Sequence, residues 1–207
     1  MKRIMLVVVM IILGGCRKGN EGNSKIESKK SEKPISETQE VNDQFQVFMD
    51  QFPKVELPLI INGCLDEILE LPKLDFEISS EYSSDAKYEH IYGIIPSNGN
   101  YITTITLGSA DCFIPIITTY RLNGERINSK PISIGYCGPD PCYECIESMT
   151  IKSDYRIYVA DTIKTYDCDK NYNAIVGTER IKVVYKEGKL NENGVIELTE
   201  EITQKIN

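Results

Sequence analysis

The polar and apolar pattern first predicts a short amphipathic helix. From Val41 to Phe52 the apolar residues recur at steps of mostly three or four positions, which places them on one face of a helix; they are Val41, Phe45, Phe48, Met49 and Phe52. Pro53 follows directly, and a proline lacks the N–H that the next helical turn needs. We therefore expect a helix that packs against the rest of the fold and stops before Pro53.

Beyond this helix the pattern changes to short strands. Prolines interrupt residues 53–96, where two extended pieces are predicted, at 57–61 and 74–78. After Gly93, seven segments rich in Ile, Val, Thr and Tyr alternate with turn sequences such as Asn123-Gly124. These segments are 101–108, 112–122, 126–136, 147–153, 155–166, 179–188 and 194–198.

The connections between the strands determine the fold class. No stretch between them has helical spacing long enough for a parallel crossover, so neighbouring strands must be joined by hairpins. The sequence predicts a mainly β fold, an antiparallel meander that forms a sandwich or an open barrel, with a propeller-like arrangement as the alternative. Pro115 and Pro131 cannot donate to a ladder and are expected at edge strands or bulges.

The N-terminus has the three-part pattern of an export signal. A basic start precedes an apolar run at 4–13 and two glycines, and the run is about half of the ~20 residues that a membrane-spanning helix needs. The sequence Leu13-Gly14-Gly15-Cys16 resembles the lipobox of bacterial lipoproteins. That resemblance implies cleavage before Cys16 and attachment of lipid, including palmitate, to this cysteine, which anchors the chain to a membrane.

Residues 17–42 contain only three aliphatic side chains, Ile26, Ile35 and Val41. Such a segment buries too little apolar surface to offset the entropy of ordering it. The sequence therefore predicts three parts: a signal peptide at 1–15, the lipidated Cys16 with a disordered tether to residue 42, and a single β-rich domain at 43–207.

Three scattered segments of the domain support the same placement: FPKVELPLI, TYRLNGERINS and YKEGKLNENGVIEL. Together they resemble the uncharacterised lipoproteins of Bacteroidota, which implies a cell-envelope location and a β-rich fold and transfers no catalytic residue. Arg17 stands where inner-membrane lipoproteins commonly carry aspartate, and no acidic pair typical of surface export follows. We therefore expect attachment to the outer membrane, facing the periplasm.

The chain is acidic, with 23 basic and 31 acidic residues. Most of the acidic excess lies in 43–207, because the signal and the tether hold eight of the basic residues. Proteins bind nucleic acids and anionic surfaces through clustered Lys and Arg. Nucleic acid is therefore not expected as a partner.

Six cysteines remain when Cys16 is set aside for lipid: Cys64, Cys112, Cys137, Cys142, Cys145 and Cys168. An even number in an exported chain indicates up to three disulfides. A hairpin centred between Gly124 and Glu125 would place Cys112 opposite Cys137, whereas a turn centred on Asn123-Gly124 would not. The meander brings all of these cysteines except Cys64 to one end of the sheet, where Cys142 or Cys145 is expected to bond Cys168.

Two metal sites compete with these interpretations. The spacing of Cys137, Cys142 and Cys145, with Cys168 nearby, also suits a thiolate site for zinc or an iron–sulfur cluster, although an oxidising envelope favours disulfides. Residues 167–173 carry oxygen ligands at alternate positions, as a calcium loop does. However, Tyr172 replaces the required glycine and the glutamate falls one place late, at Glu179. We expect a polar hairpin loop there, and neither a bound metal nor a cofactor.

No catalytic residue is predicted. His90 is the only histidine, and no nucleophile motif surrounds it. The carboxylate pairs Asp66–Glu67 and Glu200–Glu201 are interpreted as exposed charges. Four tyrosines could line a groove for a sugar or a peptide, or simply cover a β face: Tyr82, Tyr88, Tyr92 and Tyr101.

The leading hypothesis is a non-enzymatic, lipid-anchored binding or assembly module of the cell envelope, with a protein or glycan ligand. Its binding residues are expected at the loop-rich end of the sheet, in particular at 138–143, because binding loops tend to sit on a rigid scaffold. An envelope hydrolase that uses two carboxylates and a thiolate metal protein are the alternatives.

Overall fold

The computed structural model describes residues 43–63, 70–96, 99–109, 113–138 and 140–206. The helices are α1 (Asp43–Met49) and α2 (Phe76–Ser79), and the strands are β1 (Leu59–Asn62), β2 (Glu89–Ile95), β3 (Ile102–Gly108), β4 (Ile114–Tyr120), β5 (Arg126–Pro131), β6 (Tyr143–Ile151), β7 (Arg156–Thr165), β8 (Arg180–Leu190), β9 (Ile196–Leu198) and β10 (Ile202–Ile206).

The strands form two antiparallel sheets. The small sheet has the order β2-β3-β4-β5, and the large sheet has the order β1-β6-β7-β8-β10, with β9 also paired to β8. The predicted antiparallel meander is confirmed, and the sheets form a sandwich rather than a closed barrel or a propeller. β1 pairs with β6, a contact between distant parts of the chain that hairpin connections alone do not supply.

The main core lies between the two sheets. Ile105 and Ile117 of the small sheet and Met149, Ile151 and Val159 of the large sheet are at most 1% exposed and belong to one cluster. Strand alternation explains this composition, because every second residue of a strand faces the opposing sheet.

A second apolar cluster covers the other face of the small sheet. Phe45, Phe48, Met49 and Phe52 of the α1 region pack there with Tyr82 and Tyr120, and the ring centroids of Phe48 and Tyr82 are 4.8 Å apart. Gly124 lies in the β4–β5 turn with a φ of 91°, and a Cβ there would come within 2.9 Å of the Phe45 ring. The helix therefore docks directly on this turn.

The predicted helix is confirmed, with a shorter extent than the sequence pattern gave. α1 ends at Met49, and the chain then turns through Asp50 and Gln51 towards Pro53. Val41 lies outside the described residues. The apolar face is used as expected, since Phe45 and Phe48 are at most 1% exposed.

The prediction of an extended piece at 74–78 is wrong. Asp75 caps α2 there, because its carboxylate accepts the backbone N–H groups of Glu77 and Ile78, which satisfies donors that a helix start leaves free. Pro131 lies in the edge strand β5, as expected. The prediction of an edge or bulge position for Pro115 is wrong, because Pro115 lies in the inner strand β4, opposite Leu107 of β3. Its carbonyl accepts the N–H of Ile132, just beyond the end of β5. The nitrogen of a residue in an antiparallel strand points to the same neighbour as its carbonyl, so the missing N–H costs β3 no hydrogen bond.

We expect the packing of α1 to dominate the stability of this layer. Replacing Phe48 by alanine removes a ring that contacts Phe45, Phe52, Tyr82 and Tyr120, so Phe48→Ala should lower the free energy of unfolding by about 3–5 kcal/mol. Val47, on the same helix, is 50% exposed, and Val47→Ala should change it by less than about 0.5 kcal/mol. Equal urea-unfolding midpoints for the two variants would contradict this packing.

Candidate functional site

Four cysteines meet at one end of the large sheet. Cys137 is bonded to Cys145, and Cys142 is bonded to Cys168. We call this region, residues 132–138 and 140–145 with the loop 166–178, the disulfide end. The expected gathering of cysteines is confirmed for these four, whereas Cys64 and Cys112 lie outside the described residues.

One predicted disulfide is confirmed and one is wrong. Cys142, one of the two proposed partners of Cys168, is bonded to it. The proposed Cys112–Cys137 bond is excluded because Cys137 is bonded to Cys145. The physical reason is the register of the β4–β5 hairpin, which opposes Ile117 to Lys130 and so centres the turn on Asn123-Gly124.

Residues 132–138 form an irregular strap. They follow β5, and charged side chains of the large sheet bind their backbone. The Tyr136 N–H donates to Asp161 Oδ2 at 2.7 Å, the Cys137 N–H also bonds Asp161, and the Ile134 N–H bonds Glu147. Lys186 Nζ donates to the Ser133 carbonyl at 3.4 Å. The backbone groups of the strap are therefore hydrogen-bonded to side chains, whereas those of a β-strand are bonded to the backbone of the neighbouring strand.

The Tyr136 side chain connects the strap to the part of the large sheet around β8 and the start of β10. Its hydroxyl donates to Glu201 Oε2 at 3.2 Å, and Lys182 Nζ lies 5.6 Å from the ring centroid. Glu201 also forms an ion pair with Lys186 at 3.3 Å. Glu200 and Glu201 are exposed, as the sequence predicted, and Glu201 in addition binds Tyr136 and Lys186.

Glu147 and Asp161 form a buried carboxylate pair. They are directly opposed in the β6–β7 ladder and are 8% and 0% exposed. Burial, reinforced by the charge of Asp161, raises the pKa of Glu147 to about 7, although the Ile134 N–H and Lys186 act in the opposite direction. Burial also raises the pKa of Asp161, against the N–H groups of Tyr136 and Cys137.

The pair serves first to hold the strap. Both carboxylates accept backbone N–H groups, and neither lines the cavity of about 830 Å³ that Arg180, Lys182 and Lys205 border. A hydrolase would need its two carboxylates to face a bound substrate with room for water or a sugar ring. This geometry does not favour the hydrolase hypothesis.

The loop 166–178 is closed by its own polar groups. Asp169 accepts the backbone N–H groups of Asn171 and Asn173 at 2.7 and 2.9 Å, which lowers its pKa, together with the side-chain amide of Asn173. Arg180 binds Asp167 at 2.8 Å. These carboxylates are occupied by protein donors, as in the polar hairpin loop that the sequence predicted.

The same loop exposes apolar side chains. Tyr172, Ile175 and Val176, which we call the apolar tip, are 73%, 43% and 97% exposed. The loop beneath them is held by the Cys142–Cys168 bond and by a bridge between Cys168 and Ala174. Exposed apolar groups on a fixed backbone are the feature of the disulfide end best suited to binding.

The remaining candidate residues do not form a site. His90 is 8% exposed and packs edge-on against Phe113, and burial lowers its pKa. Tyr82 and Tyr101 belong to different cores, on opposite faces of the small sheet, and Tyr88 is 59% exposed. The idea of a tyrosine groove is therefore wrong. Asp66 and Glu67 lie outside the described residues.

Sequence reasoning missed Glu147, Asp161 and Lys186. A signal was present, because alternation along β7 places Asp161 on the same face as Val159 and Ile163. A carboxylate at an inward position of a strand needs a buried partner. That partner is the strap, whose path the sequence does not reveal.

No protein-family model, curated protein sequence or solved structure matches this chain. Within the part of the chain that the structure describes, no helix is long and apolar enough to cross a membrane. The two disulfides indicate an extracellular, periplasmic or envelope location, because such bonds persist in oxidising compartments.

The carboxylate pair predicts a specific dependence of stability on pH. An unfolded glutamate titrates near 4.3, whereas the pKa of Glu147 in the fold is about 7. The folded state therefore binds this proton more tightly, and the free energy of unfolding should fall as pH rises from about 4.5 to 7. Glutamine at position 147 stays neutral and keeps an acceptor for the Ile134 N–H. In Glu147→Gln the free energy of unfolding should therefore decrease less with pH, and above pH 7 it should exceed that of the native protein by about 1–3 kcal/mol.

The control for this measurement is Glu144→Gln, on the exposed side of the same strand. Urea unfolding at a series of pH values should give the Glu144→Gln variant the same slope as the native protein. A Glu147→Gln variant with the native slope would show that Glu147 is not a source of the pH dependence.

Proposed function

We propose that this protein is a lipid-anchored, non-enzymatic binding module of the cell envelope that contacts a partner protein through the apolar tip. The observation that carries the proposal is the exposure of Val176, at 97%, beside Tyr172 at 73%, on a loop fixed by a disulfide. The lipobox-like sequence ending in Cys16 supports the anchor, with outer-membrane attachment facing the periplasm as the proposed topology.

The physical argument for binding is preorganisation. A flexible loop loses entropy when it is immobilised against a partner, and this loss weakens the complex. Here Asp169 and the Cys142–Cys168 bond have already restricted the loop. The exposed side chains can then be transferred from water to an apolar recess with little further ordering, which stabilises a complex by roughly 25 cal/mol per Å² buried.

The chemistry of the tip favours protein over glycan as the ligand. Two of its three members, Ile175 and Val176, are aliphatic, and aliphatic side chains gain most from an apolar pocket on a partner. A glycan site would need aromatic faces and convergent polar groups. The loop carboxylates that could supply polar contacts, Asp167 and Asp169, are engaged with Arg180 and Asn173.

The thiolate metal alternative has little support at the disulfide end. A zinc or iron–sulfur site needs deprotonated, unbonded sulfurs, whereas all four of these cysteines are in disulfides. The hydrolase alternative is weakened by the backbone hydrogen bonds that occupy Glu147 and Asp161.

The anchor is tested by Cys16→Ser. Cells fed a clickable palmitate analogue should label the native chain, and the variant should lose the label and accumulate as uncleaved precursor, because the acceptor sulfur is gone. Cys168→Ser is the matched control, since it removes another cysteine and should keep the label. Labelling of Cys16→Ser at the native level would contradict the proposed anchor.

The binding surface is tested by photo-crosslinking in intact envelopes. A photoreactive residue at position 172 should give one dominant adduct, and the second substitution Val176→Ser should reduce its yield about tenfold through loss of apolar contact. Val195→Ser, at another exposed valine in the β8–β9 turn, should leave the yield unchanged. An adduct that is insensitive to Val176→Ser would remove the apolar tip from the proposal.

A further inference from the structure

A buried carboxylate lies against one of the two disulfides. The sulfurs of Cys137 and Cys145 and a carboxylate oxygen of Asp161 all lie within 4.8 Å of one another. Within the described residues, this is the one cluster of three or more His, Cys, Asp or Glu ligand atoms so close together. Asp161 therefore stands next to the atoms that react when this disulfide is reduced.

One oxygen of Asp161 has no partner. Its Oδ2 accepts the Tyr136 N–H at 2.7 Å, but Oδ1 is buried without a hydrogen bond among the described groups. A buried polar atom without a partner is costly, and such exceptions in folded proteins often mark a reactive or strained site. A protonated carboxyl at this position has a proton to give, and a carboxylate has a free acceptor.

We propose that Cys137–Cys145 is a thiol–disulfide exchange site, with Asp161 as the proton donor and acceptor for its sulfurs and exported polypeptides with two free thiols as its substrate class. The proposal is separate from binding through the apolar tip, so the failure of one leaves the other standing. Each can be tested on its own variants.

The exchange balances in two steps. A substrate thiolate attacks one sulfur of the Cys137–Cys145 bond, a mixed disulfide forms, and the released cysteine sulfur takes the proton of Asp161. The second substrate thiol then gives its proton to the Asp161 carboxylate and attacks the mixed disulfide. The substrate leaves as a disulfide, and the second cysteine sulfur is protonated by Asp161. Two electrons have passed from the substrate dithiol to the protein disulfide. The first substrate thiol released its proton to solvent when it became a thiolate, and a proton from solvent now restores Asp161 to its protonated form.

Asp161 has a raised pKa, and its ladder partner Glu147 has a pKa of about 7. Glu147 opposes it from β6 and Glu201 adds negative charge, whereas Lys186 of β8 and the N–H groups of Tyr136 and Cys137 favour the ionised form. Burial is the largest influence and raises the pKa of Asp161. Two adjacent buried carboxylates resist losing both protons, so the pair retains one proton over part of the neutral range.

The second disulfide provides an internal control. Cys168 is exposed, whereas Cys137 and Cys145 are half-buried. If reactivity followed exposure alone, Cys142–Cys168 would be reduced first. The proposal makes the opposite prediction, because only Cys137–Cys145 has Asp161 beside it.

The experiment measures both disulfides in the mature full-length protein in detergent. Dithiothreitol is the dithiol probe, the reaction is stopped by acid, free thiols are alkylated, and peptide mass spectrometry reads each cysteine separately. Rates are expressed per concentration of dithiothreitol thiolate. We expect Cys137–Cys145 to react about tenfold faster than Cys142–Cys168 at pH 6, and its thiolate-corrected rate to fall about tenfold by pH 8 as the carboxylate pair loses its proton.

Asp161→Asn is the decisive variant, because asparagine keeps the shape and an acceptor for Tyr136 but carries no titrating proton. Its corrected rate at Cys137–Cys145 should be independent of pH, while Cys142–Cys168 reacts at its native rate. A flat native profile, an unchanged profile in Asp161→Asn, or faster reduction of Cys142–Cys168 would overturn the proposal.

A second variant guards against loss of folding in Asp161→Asn. Glu147→Gln leaves Asp161 in place but removes the neighbouring charge, so Asp161 should ionise at lower pH. The fall in the corrected rate should then move to lower pH. A profile that does not move would count against Asp161 as the proton donor.

Discussion

The structure depends on a change from apolar to charged side chains along the inner face of the long strands of the large sheet. β6, β7 and β8 have 9, 10 and 11 residues, whereas the strands of the small sheet have six or seven. Where the inner face of the large sheet lies opposite the small sheet it is apolar, as at the paired residues Met149 and Val159. The next inward-facing pair of the β6–β7 ladder is Glu147 and Asp161. The strap 132–138 covers these charges, and it is held because they need partners.

This arrangement has a cost and a compensation. Taking a carboxylate out of water is unfavourable, and this burial raises the pKa values of Glu147 and Asp161. The backbone N–H groups of the strap recover part of the penalty, and the Cys137–Cys145 bond keeps the strap in place. A covalent link that restricts the unfolded chain stabilises the fold by a few kcal/mol, which suits a segment with no ladder of its own.

The sequence predicted the repetitive parts of the fold and missed the parts that depend on long-range contacts. The alternation of apolar residues and the turn residues are local signals, and they predict the hairpins β3–β4, β6–β7 and β7–β8. β2 was missed because Glu89 and His90 break its apolar pattern and a bulge follows Ile91. β10 was missed because its residues Ile202–Ile206 are all exposed; a strand with no buried face has no apolar period to detect.

The cysteines show the same limit at the level of the site. The order of hairpins predicted the end of the sheet at which the cysteines gather. Their pairing depends on the register of the β4–β5 hairpin, and a turn centred on Asn123-Gly124 does not place Cys137 opposite position 112. The surroundings of each disulfide then separate their roles. Cys142–Cys168 closes a surface loop that Asp169 also holds, so opening Cys137–Cys145 leaves the apolar tip in place. The proposed binding surface and the proposed exchange site therefore lie at the same end of the sheet, and neither requires a change in the other.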